Sequence, residues 1–160
     1  MRDEKWLMQL LDDIWDQHFS DVPQTNIVRI IFGRRAKNRL GSIRVDPQDR
    51  EVSIITINGL FRDEVIPEAI IKATIVHELS HYAHGFNSPL QQKFRHPHAG
   101  GVMRREFKER GLEDLYLEQR KWLKEHWPGF VQRNWGSSSI SRSRAVKKTS
   151  KIPKPFWFRD

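Results

Sequence analysis

The stretch that decides the fold runs from Pro67 to His81 and reads PEAIIKATIVHELSH. Pro67 suits the first turn of a helix, where its missing N–H is not needed. Gly85 can take the left-handed conformation that ends one, so a helix is expected over Glu68–His84. Ile66, Ile70, Ile71, Ala73, Ile75, Val76, Leu79 and Ala83 cover most of its circumference, and a helix apolar on most sides is a buried one. That makes it the central helix of the domain.

The helix carries His77-Glu78-Leu79-Ser80-His81, the pattern H-E-x-x-H. Residues four apart lie one turn apart on the same face. His77 and His81 therefore aim two imidazoles at one point, as two of zinc's tetrahedral positions require. Glu78 projects beside that point, where a carboxylate can take a proton from an activated water and pass it to a leaving amine. An exposed i,i+4 histidine pair would need no explanation, but two histidines and a glutamate on a buried helix need partners.

Zinc in a catalytic site takes three protein ligands and keeps a fourth position for water. Arg95-His96-Pro97-His98-Ala99-Gly100-Gly101 offers two histidines at the mouth of the next helix. His98 is the first choice, His96 an alternative two residues earlier, and Glu106 on the following helix a third candidate. His84 shares a face with His81, but a straight helix cannot bring a side chain two turns from His77 onto the same ion. It reads as a helix-end histidine facing the last carbonyls, as do His18 and His126. Tyr82 and Tyr116 are candidate oxyanion donors, although a buried tyrosine is more often structural.

Working outward, Trp6, Leu7, Leu10, Leu11, Ile14 and Trp15 form one apolar stripe on a first helix, which ends before Ser20-Asp21-Val22-Pro23. Asn26–Phe32 is short and β-branched, hence a strand. Gly41–Val45 and Glu51–Ile57 flank the turn-forming Asp46-Pro47-Gln48-Asp49, and a hairpin is expected there. Beyond a loop from Phe86 to about Pro97, helices are expected over Ala99–Arg110 and Leu112–His126, the last stopped by Pro128-Gly129. The expected class is α+β: an N-terminal helix, a small three-stranded sheet, the central H-E-x-x-H helix, C-terminal helices and a basic flexible tail. The domain is expected over residues 1–130 and the tail over 131–160.

The chain has 160 residues, a formal charge of +8 and no cysteine. The absence of cysteine excludes a disulfide framework, a thiol nucleophile and any thiolate zinc finger. Residues 1–128 hold 20 basic and 19 acidic residues, whereas residues 129–160 hold eight basic residues and one acid. The charge therefore belongs to the tail, where Arg142, Arg144, Lys147, Lys148, Lys151 and Lys154 precede Phe156-Trp157-Phe158. Basic charge beside stackable aromatics suits phosphate contacts and nucleic acid; docking of the tail on the acidic first helix is the rival reading. No segment approaches the ~18 apolar residues of a membrane helix, and the first residues lack a signal-peptide pattern. A soluble cytoplasmic protein with no membrane partner is expected, with a nucleoid-associated or nuclear location also open. Oligomeric state is not readable.

Three stretches resemble the SprT-like zinc metallopeptidases, small H-E-x-x-H enzymes related to the gluzincins: Val52–Leu60 (VSIITINGL), Pro67–His81, and His98 followed by a helix with Phe107. The resemblance spans roughly residues 5–110 and implies an α-β-β-β-α core. It implies zinc on His77, His81 and His98, Glu78 as general acid/base, and a peptide or protein substrate. The family usually has glycine directly after its third histidine, where this chain has Ala99. Many members also end in a cysteine zinc ribbon, a module for which this chain has no cysteines. Two functions are thus expected in turn: a zinc-dependent metallopeptidase, or a nucleic-acid-binding protein with a structural or vestigial zinc site whose tail contacts phosphates.

Overall fold

A computed structural model describes residues 1–135. The six basic tail residues named above lie outside the described residues. The architecture is α+β: a first helix, three strands and three further α-helices. Helix α1 (Glu4–His18) is capped by Asp3, whose side chain accepts a hydrogen bond from the Trp6 N–H at 2.8 Å. This satisfies one of the donors a helix start leaves unpaired. Its stripe of Leu7, Leu10, Leu11 and Ile14 is buried.

Strands β1 (Ile27–Phe32), β2 (Gly41–Val45) and β3 (Val52–Ile57) form one sheet in the order β1-β3-β2. β2 and β3 are the expected antiparallel hairpin, with Ile43 opposite Ile55. β1 lies parallel to β3 on its other side, with Ile30 opposite Ile55, so residues 33–40 cross the sheet to reach β2. Ile30, Phe32, Ile43, Ile55 and Ile57 point into the core, while β2 is left as an edge strand.

Helix α2 (Glu68–Ala83) packs against α1, β2 and β3 and against α3 (Val102–Glu109) and α4 (Glu113–Trp135). Ile70, Ile71, Ala73 and Ile75 are fully buried, each large side chain among them contributing about 1.5–3 kcal/mol. The central helix is therefore central in space as well as in sequence.

Two boundaries differ from expectation. The third α-helix starts at Val102, not Ala99, because Gly100 and Gly101 have φ of 67° and 68° and make a separate tight turn. α4 does not stop at Pro128-Gly129 but runs through them to Trp135, crossing residue 130. An internal proline costs a helix about 3 kcal/mol, and buried anchors on both sides of it outweigh that cost. Trp127 and Phe130 stack at 5.8 Å, Trp127 meets Phe61 edge-on, and its Nε1 donates to the Lys37 carbonyl at 2.9 Å. His126 consequently sits mid-helix and exposed, not at a helix end.

Candidate metal centre

α2 places His77 and His81 on one face, and their Nε2 atoms stand 3.1 Å apart. The third nitrogen comes from His98, whose Nε2 lies 3.1 Å from that of His77. His98 immediately precedes the Ala99–Gly101 turn. That turn is anchored behind by Val102, Met103 and Phe107, all buried. The loop before it is tied to the end of α2, the Lys93 N–H donating to the His84 carbonyl and the Ser88 hydroxyl to the Tyr82 carbonyl.

These three histidines lie close enough to hold one metal ion. Two imidazole nitrogens on a tetrahedral ion at 2.0–2.1 Å would be about 3.3–3.4 Å apart, near the spacing seen. The electrostatics agree with that use. Burial holds His77 well below the ordinary histidine range, helped by the charges of His81 and His98. Burial likewise pushes His81 down to about 3, with His98 and His84 adding to it. Neutral imidazoles at His77 and His81 present lone pairs, which is what a cation accepts.

Glu78 is buried one residue along from His77. Burial raises its carboxyl to about 8, and the Arg39 guanidinium pulls against that rise. Its space is made by Gly41 at the start of β2, where a Cβ would stand 2.9 Å from Glu78 Oε1. His77, Glu78, His81 and His98 share a cleft of about 390 Å³ with Gly41, Ser42, Ile43 and Arg44 of β2, with Arg39, and with Phe86, Asn87 and Pro97. The edge strand β2 therefore runs along the histidine cluster.

The other candidates fall elsewhere. His96 is exposed and outside the cluster. Glu106 is occupied: its Oε2 lies 2.8 Å from His84 Nε2 and its Oε1 accepts from Arg110 Nε at 2.7 Å. His84 thus pairs with a carboxylate instead of facing the last helix carbonyls. Arg110 continues the network, donating to the His18 carbonyl and to Asp21 with its guanidinium 3.8 Å over Phe19. This ties the ends of α1 and α2 to α3. Tyr82 is fully buried, donating to Asn26 Oδ1 and meeting Trp15 edge-on. Tyr116 is buried against Phe107. Neither tyrosine lines the cleft.

Sequence reasoning missed Gly41, Asn58 and the cleft arginines. An isolated glycine opening a strand is a signal of close backbone approach, and Gly41 carried it. Asn58 is 4% exposed with all four of its amide valences used. It donates to the Ala36 and Arg39 carbonyls and accepts from the Ala36 and Leu60 N–H groups. The basic crossover loop is thereby clamped to the end of β3. Asn87 takes a positive φ of 55°, which asparagine tolerates better than most residues.

Searches of protein-family models, curated protein sequences and solved structures find no match to this chain. No helix among the described residues is long and apolar enough to cross a membrane.

Proposed function

We propose that the chain is a zinc-dependent metallopeptidase of the SprT-like kind. The observation that carries this reading is the convergence of three Nε2 atoms beside a buried glutamate in a cleft bordered by an open strand edge. Three imidazoles suit zinc, and three protein ligands are the count of a catalytic site, since structural sites use four.

His77, His81 and His98 would hold the ion, which supplies Lewis acidity toward a carbonyl and lowers the pKa of a water. The chain's own residues do the rest. The free edge of β2 offers backbone N–H and C=O groups to an extended peptide, so that an added strand is fixed along Gly41–Val45. With a cation on the neighbouring histidines to favour its ionised form, Glu78 would take a proton from the attacking water at its carboxylate and deliver it to the departing amine nitrogen. Gly41 leaves room for that carboxylate, and the β2–α2 packing fixes its distance from the peptide.

The test combines metal analysis of the purified protein with cleavage of an unstructured protein substrate by wild type and Glu78→Gln. The reading expects stoichiometric zinc in both and cleavage by wild type alone.

A further inference from the structure

The cleft has charges of its own. Apart from Glu78, the charged side chains that line it are Arg39 and Arg44. Both are exposed; neither is within ion-pair distance of another described residue, although the charge of Arg39 reaches Glu78. They bracket the edge strand. Arg39 lies two residues before β2, on the far side of a bend at Leu40, and Arg44 is its fourth residue. The backbone at Arg39 is held in place, because its carbonyl accepts from the buried Asn58 amide at 2.7 Å. Besides the histidines, Glu78 and Asn87, the wall is apolar or small, with Gly41, Ser42, Ile43, Phe86 and Pro97.

We propose that this cleft selects peptide segments carrying acidic side chains on both sides of an apolar centre, read by Arg39 and Arg44. The inference rests on the peptidase reading and adds its substrate class. A peptide laid along β2 would pass both guanidinium groups, one before the strand and one near its end, and guanidinium groups bind carboxylates in a forked, bidentate manner. The apolar wall and the unpaired strand edge favour a peptide over a nucleic acid, since a phosphodiester chain has no backbone N–H to donate to the strand's carbonyls.

The experiment uses the full zinc-loaded chain carrying Glu78→Gln and measures fluorescence anisotropy of two labelled ten-residue peptides. Both have the same apolar centre, one with Asp and Glu in its flanks and the other with Ser and Gln. Cleavage of the same peptides by wild type is followed in parallel. The acidic peptide is expected to bind roughly ten-fold more tightly. Arg39→Glu with Arg44→Glu, checked for folding by circular dichroism, should abolish the preference, and Arg39→Lys with Arg44→Lys should keep part of it. Equal affinity for the two peptides, failure of the acidic peptide to bind, or a preference untouched by charge reversal overturns the proposal. So does displacement of the peptide by a single-stranded oligonucleotide that binds more tightly through the same arginines. Equal cleavage of both peptides defeats the selectivity and leaves the peptidase standing. Arginine-dependent binding of the acidic peptide without cleavage by wild type keeps the selectivity and defeats the peptidase.

Discussion

Gly41 and Glu78 share one space: a Cβ built on Gly41 stands 2.9 Å from Glu78 Oε1 and 2.8 Å from Thr74 Cγ2. The edge strand can lie this close to the central helix only because position 41 has no side chain. Gly41→Ala should therefore cost about 1–3 kcal/mol through overpacking and swing the Glu78 carboxylate away from the cleft. A misplacement of that kind is worth up to about 100-fold in rate. Chemical denaturation and peptide hydrolysis check the two effects, with bound metal expected to remain unchanged. If Gly41→Ala cleaves at the wild-type rate, the contact does not position Glu78.

Glu106 supplies a pH dependence whose sign can be worked out. Burial raises its carboxyl, but hydrogen bonds and charge from His84 and Arg110 more than offset this and bring it to about 2 from an ordinary 4.5. A carboxyl with a depressed folded-state pKa stabilises the fold fully above its unfolded value. That contribution fades as pH falls from about 4.5 toward 2. Its size is on the order of 3 kcal/mol, little weakened by solvent because the side chain is only 14% exposed. Glu106→Gln should be less stable than wild type at pH 6–7, and the gap should close on acidification in urea titrations. A gap that stays constant down to pH 3 would remove Glu106 from the acid response.

Asn58 holds the crossover loop by four hydrogen bonds from a buried position. Asn58→Ala leaves the Ala36 and Arg39 carbonyls and two N–H groups without these partners, and should cost about 3 kcal/mol. Asn58→Asp loses both donors and should also destabilise. Faster amide exchange across residues 34–40 in a folded Asn58→Asp protein is the expected local signature.

The third ligand separates cleanly from its rivals. His98→Ala should lower zinc affinity by orders of magnitude, whereas His96→Ala should leave it within about two-fold, as expected for an exposed side chain outside the cluster. Isothermal titration with zinc decides between them.

Most of this arrangement is written in local pattern. The apolar periodicity of residues 68–84, the i,i+4 histidines and the β-branched runs gave the elements and two of the three cluster histidines. What escaped depended on tertiary contact. Pro128 should end a helix, and only the burial of Trp127 and Phe130 on the core carries α4 past it. His98 is the first choice by ligand type and spacing alone. What only the structure shows is why Glu106 is not free to compete, since His84, at the end of α2, and Arg110, one turn on from Glu106, claim the glutamate. Arg39 and Arg44 belong to no motif, and their place on the cleft follows from a crossover that puts β2 at the sheet edge.

The most direct measurement of the central claim pairs zinc content with peptide cleavage in wild type, Glu78→Gln and His77→Ala. The account predicts one zinc per chain and cleavage in wild type, one zinc without cleavage in Glu78→Gln, and neither in His77→Ala. A wild-type protein that neither retains nor takes up zinc, or a Glu78→Gln protein that cleaves as fast as wild type, would contradict it.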